Sequence, residues 1–116
     1  MIRIVMITIT IFQNQKQYIG LSCEGHAGFD VEGKDIVCSA VSMLVINTIN
    51  GIEQFTEDAF TLDVPQDGSN RNDITFRLTE KISSEADVLM KSLVLGLTEI
   101  QKTYGDSYLT LNFREV

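Results

Sequence analysis

Cysteine, histidine and positive charge are all scarce in this chain. Two cysteines, Cys23 and Cys38, are too few for a disulfide framework in 116 residues. One histidine, His26, means that any proton transfer by an imidazole must pass through a single position. Nine Lys and Arg stand against 16 Asp and Glu, a formal net charge of −7. That balance disfavours nucleic acid and suits a basic partner. The N-terminal run MIRIVMITITIF is far shorter than a membrane span. It also lacks the flanks of a secretory leader: Arg3 is its only basic residue, and QNQKQ follows where small residues should mark cleavage. Repeats, low-complexity tracts and linkers are absent too. The expectation is a cytoplasmic protein with reduced thiols, no membrane attachment and no bound nucleic acid.

What is present is apolar material, 44% of the chain, enough for residues 1–116 to bury one core as a single domain. Residues 2–12 are rich in Ile, Val and Thr, which suit a pleated strand. Lys16 to Cys23 reads as a second strand, with Asn14 marking the turn of a hairpin. From Ile36 to about Phe55 the apolar run is too long for one strand and predicts a helix. Its VINTINGI segment is rich in β-branched residues and contains Gly51, so packing rather than propensity must hold it. Val37, Ala40, Val41, Leu44 and Thr48 share one side, while Met43, Ile46 and Ile49 are apolar elsewhere. Such a helix is expected to be buried on more than one side, which points to a subunit interface.

Phe60, Leu62 and Val64 alternate with polar residues, as do Ile74, Phe76 and Leu78, and PQDGSNRND between them is saturated with turn formers. Ser84 with Asp87 resembles a capping box. Ala86, Leu89, Met90, Leu93, Val94, Leu97, Ile100 and Tyr104 then trace a helical stripe that Gly105 ends. A last strand runs from Tyr108 to Arg114. The order ββαββαβ predicts an α+β fold: a two-layer α/β sandwich of about five mostly antiparallel strands with two helices on one face.

The chemistry concentrates in EGHAGFDVEGKDIVCSAVS, residues 24–42. Asp35 immediately precedes the expected helix and is placed as its N-cap. Cys38 would then be the third helical residue, at the positive end of the helix dipole, where a thiol's pKa falls below its free value near ~8.5. His26 could take the thiol proton and return it to a leaving amine. Gly25, Gly28 and Gly33 give the intervening loop the backbone freedom to bring it there and to order on substrate. Ser42 lies one turn beyond Cys38, with Ser39 beside it, and either hydroxyl could donate to the thiolate, the imidazole or an oxyanion. The bland readings are a core cysteine, a solvated histidine, a plain cap, ordinary helix hydroxyls and turn glycines.

Two rival chemistries use the same residues. GFDVEGKD follows the phosphate-loop pattern as far as its lysine, but Asp35 stands where a magnesium-binding hydroxyl belongs, and Asp30 and Glu32 would repel phosphate. Cys23, His26, Cys38 and Asp35 could ligate zinc, but a structural site needs a second closely spaced pair. No cofactor or metal is therefore expected.

GHA at 25–27 followed by KDIVCSAVS at 34–42 resembles the signature of the ribosomal-processing cysteine protease family, Prp. The resemblance extends over the whole chain in length and element order. It implies a homodimeric two-layer α/β domain and an endopeptidase of the bacterial cytoplasm. The implied reaction removes a short N-terminal extension from large-subunit ribosomal protein L twenty-seven, after an aromatic residue, as a step in ribosome assembly. It further implies that Cys38 is the nucleophile and His26 the general base, with Asp35 and Ser42 as supporting residues. The alternative is a non-catalytic ribosome-assembly or binding factor of the same fold.

Overall fold

A computed structural model describes residues 7–24, 34–64 and 73–116, with Lys34 and Asp35 described by backbone alone. The elements are β1 (Ile7–Asn14), β2 (Gln17–Glu24), α1 (Lys34–Phe55), β3 (Phe60–Asp63), β4 (Ile74–Leu78), α2 (Ser84–Tyr104) and β5 (Leu109–Glu115). This is the expected ββαββαβ order in an α+β fold. The strands form one sheet in the order β3-β4-β2-β1-β5. β5 runs parallel to β1 and every other pairing is antiparallel.

Strand periodicity decides which face is buried. In β1, Ile7, Ile9 and Ile11 are buried and alternate with half-buried Thr8, Thr10 and Phe12. Register then builds rows across the sheet. Leu62, Phe76, Leu21, Ile11 and Phe113 form one row; Ile74, Cys23, Ile9 and Leu111 form the next. The central members of these rows join Val37, Val41, Val45 and Ile52 of α1 and Met90, Leu93 and Leu97 of α2 in a single core. At the sheet edges the rows outrun the helices. Leu62 is 45% exposed and Phe113 48% exposed, although both lie on the apolar face expected from alternation.

The β1–β2 turn is made by Gln15 and Lys16, both with positive φ (49° and 69°), as a two-residue hairpin turn requires. Asn14, read from sequence as the turn former, is instead the last residue of β1, and its Nδ2 donates to the Val116 carbonyl at 2.7 Å.

Packing holds α1 despite its β-branched content. Val37, Val41, Val45, Thr48, Ile49 and Ile52 are all buried, and the Thr48 hydroxyl donates to the Leu44 carbonyl at 2.7 Å rather than facing the core unsatisfied. By length and composition Ile36–Phe55 could cross a membrane, yet here it is the long helix packed on the sheet and on α2. Ile36, Met43, Ile46 and Phe55 remain exposed on its outer side.

α2 is capped by Ser83, whose Oγ accepts from the Ala86 N–H at 3.1 Å; Ser84, the expected cap, is the first helical residue. The physical reason lies outside the helix. Asp58 Oδ2 accepts from the Ser83 N–H at 2.8 Å and holds that residue in extended backbone. Gly105, with φ 96°, ends the helix and donates its N–H to the Gln101 carbonyl at 2.7 Å.

Candidate active site

β2 ends at Glu24 and α1 begins at Lys34, so the apolar row that contains Cys23 and the start of the long helix are joined by the segment that carries the histidine. His26, Gly25, Gly28 and Gly33 lie outside the described residues, as does the side chain of Asp35.

Cys38 is well placed for nucleophilic chemistry. Because α1 starts at Lys34, Asp35 falls within its first turn and is not the N-cap expected from sequence. The correction moves Cys38 from the third helical position to the fifth. Its own N–H is then within the intrahelical ladder, and the dipole acts on it from one turn away. Helical side chains lean toward the N-terminus, which carries the thiol back over that first turn. Cys38 is half-buried: one side packs against the core, the other is open to solvent. Ser42, one turn further on, is also half-buried, while Ser39 is exposed. The two serines therefore differ in surroundings although they are neighbours in sequence.

Cys23 has the opposite character. It is 6% exposed, flanked in the sheet by Ile9 and Ile74, and is not disulfide-bonded. Burial is the main cause that pushes its thiol up to about 11; the negative charges of Asp73, Cys38 and Glu24 add to it. At neutral pH it is a protonated, apolar side chain.

Asp73, immediately before β4, is the residue that sequence reading missed. Counted among turn formers, it has a buried Oδ1 and acts on Cys23 electrostatically. No signal in the sequence marked it, because only the pairing of β4 with β2 brings it next to the strand partner of Cys23. Among the described residues no three His, Cys, Asp or Glu side chains are grouped to hold a metal. The zinc set considered from sequence includes His26, outside those residues. A half-exposed thiol near a helix start is suited to covalent attack on a carbonyl.

The family model described as cysteine protease Prp matches residues 6–109. The ribosomal processing cysteine protease Prp of Bacillus subtilis (strain 168) is 27% identical over 107 residues, spanning 88% of this chain and 93% of its own. The protein of the same name from Staphylococcus aureus (strain Mu50) is 24% identical over 110 residues, spanning 94% of this chain and 100% of its own. Among solved structures, the ribosomal processing protease Prp from S. aureus in complex with a substrate peptide superposes with a TM-score of 0.82 at 23% identity, over 94% of this chain and 100% of that one. The same protease with a covalently linked product peptide gives 0.80 at 24% identity. At such identities the superpositions speak for the fold, and the family match over nearly the whole chain speaks for the chemistry. The chain belongs to the Prp family of cysteine proteases, the family that its GHA and KDIVCSAVS segments resemble.

Proposed function

We propose that this protein removes the N-terminal extension of large-subunit ribosomal protein L twenty-seven, cutting after an aromatic residue, as a step in ribosome assembly. The observation that carries the reading is the half-exposed thiol of Cys38 near the start of α1. A thiol sealed in the core could not reach a peptide, and one fully in solvent would have no oriented backbone dipoles beside it.

In this reading Cys38 is the nucleophile and His26 the general base. The imidazole takes the thiol proton as sulfur attacks the scissile carbonyl, then donates it to the leaving amine. Backbone N–H groups at the start of α1 meet the oxyanion. Water then hydrolyses the thioester and regenerates the thiol. Asp35, Ser39 and Ser42 serve as supporting residues, and the glycines at 25, 28 and 33 let the connecting loop order on substrate. The relative with a covalently linked product peptide supports a covalent route. The ribosomal processing named for the relatives supports the substrate class, and a net charge of −7 suits a basic ribosomal protein. The enzyme works in the cytoplasm, as a homodimer. Exposed Met43 and Ile46 on α1, with Val88 and Leu95 on α2, support an apolar interface on the helix layer.

The test is mass spectrometry of a synthetic peptide bearing an N-terminal extension that ends in Phe-Phe, incubated with purified protein. A single cut after the aromatic pair, lost in Cys38→Ala, is expected. Binding of the intact peptide without cleavage would instead favour a non-catalytic assembly factor. Light scattering checks the dimer, and a monomer at micromolar concentration would contradict it.

A further inference from the structure

Phe55 is the last residue of α1 and is 77% exposed, more than any other large apolar side chain among the described residues. It lines two adjoining hollows. One, of about 410 Å³, is mainly apolar, with Phe55, Val88, Leu89 and Glu85 on its walls. The other, of about 520 Å³, is more polar and is lined by Phe55, Thr56, Glu57, Asp58, Ser83 and Glu85. We propose that this groove is an exosite: it holds a Lys- and Arg-bearing segment of the protein substrate, on the body side of the cut and away from the nucleophile. That the segment belongs to the substrate rests on the processing reading above.

Charge chooses the occupant. α1 ends here, and the carbonyl end of a helix dipole is negative. Glu57, Asp58 and Glu85 add to that field. Among the described residues no Lys or Arg lines either hollow, and none lies in the last turn of α1. Lys91, one turn into α2 from Asp87, is held by that residue at 2.8 Å. The start of α2, which would draw an anion, is taken up by its own cap Ser83 and by Glu85 and Asp87 in the first turn. The polar wall is fixed by its own hydrogen bonds. Thr56 Oγ1 donates to the Ile52 carbonyl at 2.7 Å, the Asp58 N–H donates to Thr56 Oγ1 at 3.1 Å, and Asp58 Oδ2 accepts from the Ser83 N–H at 2.8 Å. A Lys or Arg side chain matches this mixture: its stem covers Phe55, Val88 and Leu89, while its head meets the carboxylates and the face of the Phe55 ring. Reach sets which part of the substrate binds. Cys38 is the fifth residue of α1 and Phe55 the last, so about 25 Å of helix separates them. An extended chain needs at least about eight residues to cover that distance. The extension is short, so the occupant lies in the body, about eight or more residues past the cut. Binding there holds the substrate without touching the reacting bond, which lowers KM and leaves kcat alone.

The experiment compares two synthetic peptides with the same cleavage sequence. One ends about four residues past the cut; the other continues to about 16 and carries Lys and Arg beyond about position 8. At low salt the long peptide is expected to show a KM about tenfold lower than the short one with the same kcat, an advantage that shrinks in about 0.5 M salt. Phe55→Ala and the double variant Glu57→Gln/Glu85→Gln should each raise the KM of the long peptide by about fivefold and leave short-peptide kinetics as in the wild type. All three side chains are exposed, so these variants keep the fold. An unchanged long-peptide KM in both variants overturns the proposal, as does an equal rise for both peptides. A shift of Phe55→Ala to monomer in light scattering also overturns it, because the groove then belongs to a second copy of the chain. Fluorescence anisotropy of the labelled basic segment alone, titrated with Cys38→Ala protein, reads the groove without any cleavage; binding that Phe55→Ala weakens is expected. A protein that cuts neither peptide refutes the processing reading, whereas an active enzyme whose Cys38→Ala form does not bind the segment refutes this one.

Discussion

Gly20 of β2 lies against the backbone of Phe76 in β4, and a Cβ at residue 20 would collide with the Phe76 carbonyl oxygen and stand 3.0 Å from the Arg77 Cα. Both obstacles are backbone within a paired strand, so neither can yield without opening the β2–β4 ladder. The contact lies beside the β1–β2 register shift at Phe12/Gln13, where an irregular ladder brings backbones closer.

Gly20→Ala is therefore expected to lower stability by about 3 kcal/mol, through overpacking against backbone. Gly96 supplies the control. A Cβ there would meet Leu44 Cδ1 at 2.9 Å, the end of a half-buried side chain that can swing toward solvent. Gly96→Ala also gains about 1 kcal/mol of helix propensity, so its net effect should stay within about 1 kcal/mol of wild type. Urea midpoints at unchanged slope measure both.

The two adjacent serines before α2 separate a cap from a neighbour. Ser83→Ala removes the acceptor for the Ala86 N–H and should cost about 1 kcal/mol, whereas exposed Ser84→Ala should change stability by less than about 0.5 kcal/mol. Equal effects would return the cap to Ser84.

Native alkylation should distinguish the cysteines. Iodoacetamide at neutral pH is expected to modify half-exposed Cys38 and leave Cys23 intact until denaturant is added. Peptide mapping reads the sites. Labelling of Cys23 at the rate of Cys38 in the folded protein would contradict the burial described above.

Stability should fall at high pH because of Cys23. Its thiol moves from an ordinary value of 9.0 up to about 11 in the fold. Below pH 9 both folded and unfolded chains hold the proton, and the group contributes nothing to the pH dependence. Between the two values the unfolded chain releases it while the folded chain keeps it, so unfolding is favoured as pH rises. By pH 11 the loss should reach about 2 kcal/mol. Tyrosines and lysines titrate in the same range, so the measurement is the difference between wild type and Cys23→Ala in denaturant unfolding at pH 8 and pH 11. Parallel pH profiles would refute it.

The element order and the apolar face of each strand could be read along the chain, because they depend on local periods. Ile7, Ile9 and Ile11 alternate in sequence as they do in the sheet. The buried Ala86, Met90, Leu93, Val94 and Leu97 lie at helical spacing. The candidate nucleophile was legible for the same reason, since a glycine-rich segment, one histidine and one cysteine stand next to a helix-forming run. Boundaries were less legible. Ser83 and Ser84 are chemically alike, and what chooses between them is Asp58, 25 residues away from Ser83. Asp35 looked like a cap because capping residues favour helix starts, but the helix already includes Lys34.

Periodicity along the chain thus determined which residues turn inward and that Cys38 lies near the start of a helix, because those properties depend on neighbours a few positions away. Tertiary structure alone decided that Asp73 stands next to the strand partner of Cys23 and that Cys23 and Cys38 contribute to one core. Pairing of β2 with β4 and the seating of α1 on that sheet bring distant residues together, and no local pattern in the sequence carries that distance.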